Sequence, residues 1–361
     1  MVQTAPRTLE ERAFPVPCIG ADDGLLRVEA CGICGSDCEQ FAGVLPVRLP
    51  VVPGHEPLGF IEEIGAQAAA RWGVRRGDRV VVEPILSCGR CRQCKAGMRH
   101  LCLGSGGEFR CYSYISTETP PSLWGAYADY MYLAPETVLH RIDPGLPPEI
   151  AVLYNPLGAG FRWTGEIGGV KTGDRVVILG PGQRGLTSVI VAARAGAAKI
   201  IVSGLARDAA KLELAKQFGA TRTVDIEKED LIDVVFEETG GEGADLVVEV
   251  TANAVEPVAQ TLMLARRGGT IVLAGVKGMK EVPNFVSDRA VLKELTIRGA
   301  LGVSSSAFRA AIELIESGDV DLSAMHTHSF ALSDAERAIR TLAGEIEGEQ
   351  AIHCCLLPSK G

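Results

Sequence analysis

The stretch Arg175-Val-Val-Ile-Leu-Gly180-Pro-Gly182-Gln-Arg-Gly185-Leu-Thr-Ser-Val-Ile-Val-Ala-Ala-Arg-Ala-Gly196 decides the fold. Its first residues, up to Gly180, read as a short apolar strand buried on both faces. Gly180, Gly182 and Gly185 then spell G-x-G-x-x-G, and a helix of small apolar residues follows. Glycines in that order allow a tight turn and let the backbone approach a pyrophosphate at the helix N-terminus. The letters alone are weak, because a Gly-rich turn with no ligand has the same ones. Their place between a strand and a helix makes the turn a dinucleotide-binding candidate.

In such a site an acidic residue is expected about 20 residues on, at the end of the next strand, to hold the adenosine ribose. Here that end reads Ile201-Val202-Ser203-Gly204-Leu205-Ala206-Arg207. Gly204 stands where the acid would be, and no carboxylate comes before Asp208. Without the acid a 2′-phosphate meets no repulsion, and Ser203 and Arg207 are there to bind it, so NADP is favoured over NAD. If Arg207 is only a solvated residue at a helix start and Asp208 its N-cap, the cofactor is NAD.

Outward from the turn, strands and helices alternate. KIIVSG, DLVVEVT and GTIVLAGV read as strands, and AAKLELAKQFGA and PVAQTLMLARRG as helices. That alternation predicts right-handed βαβ units and a parallel sheet, an α/β domain. Upstream, short β-type runs such as LLRVEACGI and DRVVVEPI are broken by close turn signals, as in a small β-barrel. Downstream, the helices FRAAIELIESG and DAERAIRTLAG flank an extended HTHSF. These are too few for a domain and are expected to finish the sheet and return to the first one. The expected boundaries are 1–155 for the barrel domain, 156–292 for the nucleotide domain and 293–361 for the returning segment.

The chain of 361 residues has a net charge of −9 and no basic stripe, which argues against nucleic acid as a partner. No run of about 18 apolar residues predicts a membrane span. The N-terminus MVQTAPRTLEER lacks the apolar core of a signal peptide, so a cytoplasmic protein with reduced thiols is expected.

Among eleven cysteines, Cys88, Cys91, Cys94 and Cys102 are spaced C-x2-C-x2-C-x7-C. Four thiolates in one loop, about 84–104, read as a closed tetrahedral site for a structural zinc. A disulfide pair or an iron–sulfur cluster are the alternatives, the first disfavoured by compartment and the second by spacing.

A second constellation lies upstream: Cys31-Gly32-Ile33-Cys34-Gly35-Ser36-Asp37, then Gly54-His55-Glu56. Taken alone, a Cys and a His at this separation are as readily core residues as ligands. The order of all these motifs resembles the zinc-dependent medium-chain alcohol dehydrogenases, closest to the threonine, sorbitol and sugar dehydrogenase branches. The resemblance runs from LLRVEACGICGSD through GHE, the cysteine loop, WGAYADY, NPLGAG and GPGQRG to the C-terminal helices. It implies a GroES-like β-barrel catalytic domain beside the Rossmann domain, two zinc ions per chain and NADP or NAD. It also implies an alcohol or carbonyl substrate, the alcohol expected to be secondary or a polyol, and a homodimer or homotetramer. Carried over by position, Cys34, His55 and Glu56 are expected to hold the catalytic zinc, with Asp37 orienting His55. Ser36 is expected to take the substrate's hydroxyl proton. Zinc with an open position lowers the pKa of an alcohol, whose hydride then leaves for the nicotinamide.

The chain departs from the family pattern at three places. Asn155 stands where a Cys, Asp or Glu usually serves as third ligand, so either Glu56 or the Asn155 carbonyl completes the set. The carboxylate is the better donor and is favoured. Glu39 replaces the His of the proton relay, and is either an acceptor working through water or a solvated residue. Gln183 and Arg184 replace small apolar residues in the nucleotide turn. Arg184 either pairs with the pyrophosphate or points away from it. The Leu103–Leu123 segment, with Phe109, Arg110, Tyr112 and Tyr114, either shapes a substrate pocket or is a surface excursion. Phe41, Leu45, Arg48, Trp124 and Tyr154 are further pocket candidates. The other histidines, His326 and His353 among them, read as structural or exposed. A zinc-independent quinone or enoyl reductase on the same fold, or an inactive nucleotide-binding relative, are the competing readings.

Overall fold

Six parallel strands carry the nucleotide turn, in spatial order Arg222–Asp225, Lys199–Gly204, Arg175–Leu179, Ala244–Glu249, Ala265–Leu273 and Thr296–Gly299. Numbered along the chain this is 3-2-1-4-5-6, the doubly wound order, and the switch point falls beside Arg175–Leu179. Val177, Leu179, Ile201, Val224, Val247 and Ile271 form its dry core. The computed structural model describes residues 1–104 and 106–358. In it the chain forms two compact units, Pro156–Ala311 around this sheet, and Met1–Asn155 joined by Ile312–Gly361.

The sheet departs from the sequence reading in two places. The helix expected over PVAQTLMLARRG stops at Leu264, and Ala265 turns extended to open a strand. Arg266 explains this, because its guanidinium is drawn to Asp245 on the neighbouring strand and pulls the chain into the ladder. The residues 222–238, for which the sequence reading gives no element, hold the Arg222–Asp225 strand and the helix Leu231–Glu238. Asp230 caps that helix by accepting from the N–H groups of Ile232 and Asp233 at 2.7 and 3.3 Å.

The other unit is built on one long strand, Gly24–Ile33. It pairs antiparallel with Glu56–Ile64, with Tyr130–Leu133 and, at its far end, with His353–Leu356. The remaining order is His326–Phe330 outside His353–Leu356, and Arg79–Val82 then Leu139–Arg141 outside Glu56–Ile64. Leu26, Val28, Ile33, Ile61, Val80 and Met131 fill the interior, and the amphipathic helix Ala335–Leu342 closes it with Ala335, Ala338 and Ile339. The register Gly32↔Glu56 brings the end of one strand beside the start of the next. Cys34 and His55 therefore leave the ladder at the same edge, and the site follows from that pairing.

Candidate active site and metal centres

Cys34 ends the Gly24–Ile33 strand and caps the short helix Gly35–Phe41. Asp37 fixes this turn: its Oδ2 accepts the Cys34 N–H at 2.8 Å while its own N–H donates to the Cys34 carbonyl at 3.0 Å. The other oxygen, Oδ1, lies 3.2 Å from His55 Nδ1. A carboxylate only accepts, so Nδ1 carries the hydrogen and Nε2 turns its lone pair the other way. The ligand atoms of Cys34, His55 and Glu56 lie within 4.8 Å of one another, and all three residues are buried. Ser36 Oγ stands 3.4 Å from His55 Nε2, at the rim of this cluster.

The electrostatics of the cluster suit a cation. Glu56 is 0% exposed, Asp37 2% and Cys34 8%, and taking carboxylates out of water is costly. Burial works against protonating the His55 ring. The nearby Asp37 and Cys34 outweigh it, holding His55 well above its ordinary value. Three acidic groups around one base leave the pocket short of positive charge. A divalent ion with one sulfur, one nitrogen and one oxygen ligand would supply it, and zinc accepts that donor set.

The four cysteines make a different centre. Cys91 caps the short helix Arg92–Lys95, and its Sγ accepts from Cys94 N–H at 3.5 Å. Cys88 Sγ accepts from Cys91 N–H at 3.4 Å, and Cys102 Sγ from Cys88 and Gly104 N–H at 3.3 and 3.2 Å. The N–H groups of Arg90 and Cys91 pull Cys88 down to about 6, while burial and the neighbouring Cys91 and Cys102 sulfurs push Cys94 up to about 12. Sulfurs about 2.3 Å from a tetrahedral zinc stand about 3.8 Å apart, and Cys91 Sγ and Cys102 Sγ are 3.8 Å apart. None of the eleven cysteines is in a disulfide. These residues fit a closed zinc site.

The nucleotide turn divides its work among three glycines. Gly180 has φ +105°, which a side chain would strain. A Cβ on Gly185 would lie 1.9 Å from the Gly180 carbonyl oxygen, so the helix packs onto its strand only with glycine there. A Cβ on Gly182 would meet nothing within 4 Å, so this is the open face of the turn. Gln183 is buried, and the Arg184 guanidinium lies 5.7 Å from the centre of the Trp163 ring. At the end of Lys199–Gly204, a Cβ on Gly204 would come within 2.8 Å of Pro181. A ribose-binding acid cannot stand there while Pro181 does. Ser203 is buried and Arg207 exposed. Asp208 accepts the Leu205 N–H at 3.2 Å and pairs with Lys211 at 3.0 Å. Glu227 accepts the Ala206 N–H at 2.7 Å, setting a carboxylate beside the same turn.

Several expected pocket residues belong to the core or to the surface. Glu39 is half-buried in the helix after Cys34, and Asn155 is buried at the start of Tyr154–Gly160. Phe41 and Trp124 belong to the core. Tyr154 is fully buried and donates to the Val82 and Pro57 carbonyls, so it serves packing and not a pocket. Arg48 pairs with Glu118 at the surface. Within the Leu103–Leu123 segment, of which Ser105 lies outside the described residues, Tyr112 is buried against Thr137 and Arg110 pairs with Glu136. Tyr114 is the exception. Burial raises its phenol while His55 draws it back, so it stands within electrostatic reach of the Cys34–His55–Glu56 cluster.

Two family models match the chain. An alcohol dehydrogenase GroES-like domain matches residues 20–144 and a zinc-binding dehydrogenase domain residues 185–317. The chain is 46% identical over 360 residues to the "Probable alcohol dehydrogenase adh" of Mycobacterium tuberculosis, covering 99% of this chain and 98% of that one. It is 33% identical to the erythritol/L-threitol dehydrogenase of Mycolicibacterium smegmatis, over 97% and 94% of the two chains. Among solved structures, a Sinorhizobium meliloti 1021 protein with NADP bound superposes with a TM-score of 0.82 at 30% identity, over 96% and 94%. The alcohol dehydrogenase TADH from Thermus sp. ATN1 does so with 0.84 at 28%, over 99% and 98%.

Proposed function

The chain belongs to the zinc-dependent medium-chain alcohol dehydrogenases, and from that premise we propose how its own residues divide the work of oxidising an alcohol or polyol. It is an oxidoreductase that uses zinc and a nicotinamide dinucleotide. One observation carries the reading: the buried Cys34–His55–Glu56 cluster, short of positive charge, with the Ser36 hydroxyl at its rim. Bound zinc and nicotinamide supply Lewis acidity and a hydride acceptor. Cys34, His55 and Glu56 hold the ion, and Asp37 keeps His55 in the tautomer that can ligate. Ser36 accepts the alcohol's proton and releases its own, since a hydroxyl does both, and Glu39 is the next acceptor along the helix. Asn155 contributes a neutral amide and not a charged ligand. The four-cysteine loop does no chemistry.

NADP is the favoured cofactor, supported by Gly204 in place of an acid, by exposed Arg207 and by Asp208 neutralised through Lys211. Glu227 opposes it. A secondary alcohol or polyol is the proposed substrate. A homo-oligomer is supported by the outer strand Thr296–Gly299, exposed along its length. Val291, Leu292 and Leu301 are exposed beside it at 72, 69 and 53%. Cytoplasmic residence is supported by the eleven cysteines, none of which is in a disulfide. Among the described residues no helix is long and apolar enough to cross a membrane.

Metal analysis tests the core of the reading. Two zinc per chain are expected, Glu56→Ala leaving one and Asn155→Ala leaving two. The opposite pattern would transfer the third ligand to Asn155, and one zinc in the wild type would sink the catalytic site. A panel of secondary alcohols and polyols, each with NAD and NADP, then identifies the substrate class.

A further inference from the structure

Gly32 is flanked by Glu56 on one neighbouring strand and Cys355 on the other. A Cβ placed on Gly32 would lie 2.5 Å from Glu56 Oε2 and 3.3 Å from His353 Nε2. The carboxylate oxygen and the imidazole nitrogen therefore both border the space that a side chain at 32 would fill. Both residues are 0% exposed. We propose that His353, backed by His326, is a positioning residue that holds the Glu56 carboxylate across this gap and so aims its other oxygen at the catalytic metal.

The hydrogen-bond directions from Ser329 to His353 are compatible with this assignment. A carboxylate only accepts, so the clamp requires His353 Nε2 to carry the hydrogen and its Nδ1 to accept. His353 Nδ1 lies 3.1 Å from His326 Nδ1, which must then donate. That leaves His326 Nε2 to accept from Ser329 Oγ at 2.9 Å. One set of neutral tautomers satisfies the contacts from Ser329 through His326 to His353 Nδ1 and leaves the Nε2 hydrogen for the proposed clamp. The backbone holds the pair in place: His326 and His353 sit opposite one another in a parallel ladder, and Thr327 Oγ1 donates to the His353 carbonyl at 2.9 Å. A buried carboxylate without such a donor can rotate about its last torsion, whereas a clamped one presents a single oxygen in a fixed direction. His353 comes from the last strand of the chain, so no spacing in the sequence announces it.

The inference rests on Glu56 being a zinc ligand, and the test separates the two. The purified holoenzyme and its variants are titrated with a chelator and, after exchange of the catalytic ion, read by the visible spectrum of cobalt. His353→Leu is expected to weaken the second metal by about tenfold to a hundredfold and to shift the cobalt bands, with the cysteine-loop zinc retained. His353→Gln, which keeps an N–H donor, is expected to stay within about threefold of wild type. Wild-type affinity and spectrum in His353→Leu would overturn the clamp. Should His353→Leu fail to fold, the half-buried His326→Ala decides: shifted cobalt bands support the clamp and an unchanged spectrum overturns it. If Glu56→Ala keeps both metals, the ligand reading falls first. If it loses one while His353→Leu keeps both, only the clamp falls.

Discussion

The nucleotide turn and the catalytic centre are built on opposite principles. In the Pro156–Ala311 unit the candidate site is made of what is missing: glycines bare a turn at the end of a dry Val/Ile strand and leave its backbone open to a ligand. In the other unit the candidate site is made of buried acidic and basic side chains from the Gly35–Phe41 helix, its cap and the start of the Glu56–Ile64 strand, a donor set that suits a metal. A site made of backbone tolerates changes in neighbouring side chains but not added bulk. A site made of charges tolerates bulk nearby but not the loss of one donor. Cys34→Ser tests the second half and should have the largest effect. Losing Lewis-acid stabilisation of several kcal/mol lowers kcat/KM by about a thousandfold, while the cysteine-loop zinc stays. Full activity with one zinc per chain would dissolve the contrast.

The first half is tested by adding single methyl groups. Gly182→Ala leaves the fold alone, since its Cβ meets nothing, but blocks the approach of the pyrophosphate. It should leave Tm unchanged and raise the cofactor Kd by about tenfold or more. Gly185→Ala should instead lower stability by about 1–3 kcal/mol, because its Cβ collides with the Gly180 carbonyl. Zinc content should be the same in both. If Gly182→Ala binds cofactor normally, the open face of the turn is not the binding face.

This contrast also explains what could be read before the structure. The glycine motif and its flanking strands are local, so they are legible as letters. The register Gly32↔Glu56 is not local, and only the recurrence of Cys34 and His55 in a familiar order made the centre visible. His353 had no such order to belong to. Tyr112, Trp124 and Tyr154 looked like pocket residues because aromatic rings in loops often are; burial and bonded hydroxyl or indole groups assign them to the core. The 265–268 strand was hidden because Ala-Arg-Arg-Gly is good helix-ending sequence, and its true conformation depends on Asp245 in another strand.

A smaller effect bears on cofactor choice, where side chains do enter the nucleotide site. Arg207→Ala should lower the NADP/NAD ratio of kcat/KM by about tenfold, the worth of one charge-assisted hydrogen bond to phosphate. Glu227→Gln should move the ratio the other way by a smaller factor. If Arg207→Ala changes both cofactors alike, Arg207 does not read the 2′-phosphate, and the enzyme's preference lies elsewhere in the turn.

The smallest effect asks whether the Pro156–Ala311 unit depends on any buried charge. Asp245 joins three strands through Arg175 at 2.9 Å and through Arg266. Partial burial works against its ionised form, but hydrogen bonds from Arg175 and Arg266 prevail and hold it down to about 2. A carboxyl depressed in the folded state stabilises fully above its unfolded value near 4, and the contribution fades as pH falls toward 2. Water reaches the half-exposed Arg266, so the contribution is about 1 kcal/mol and not the full Coulombic value. Asp245→Asn should therefore cost about 1 kcal/mol in urea unfolding at pH 7, and the gap to wild type should narrow at pH 3. Zinc content and the cobalt spectrum should not move. A gap that persists unchanged at pH 3 would mean that Asp245 acts through shape and not charge. The nucleotide unit would then be as free of charge dependence as its glycine turn suggests.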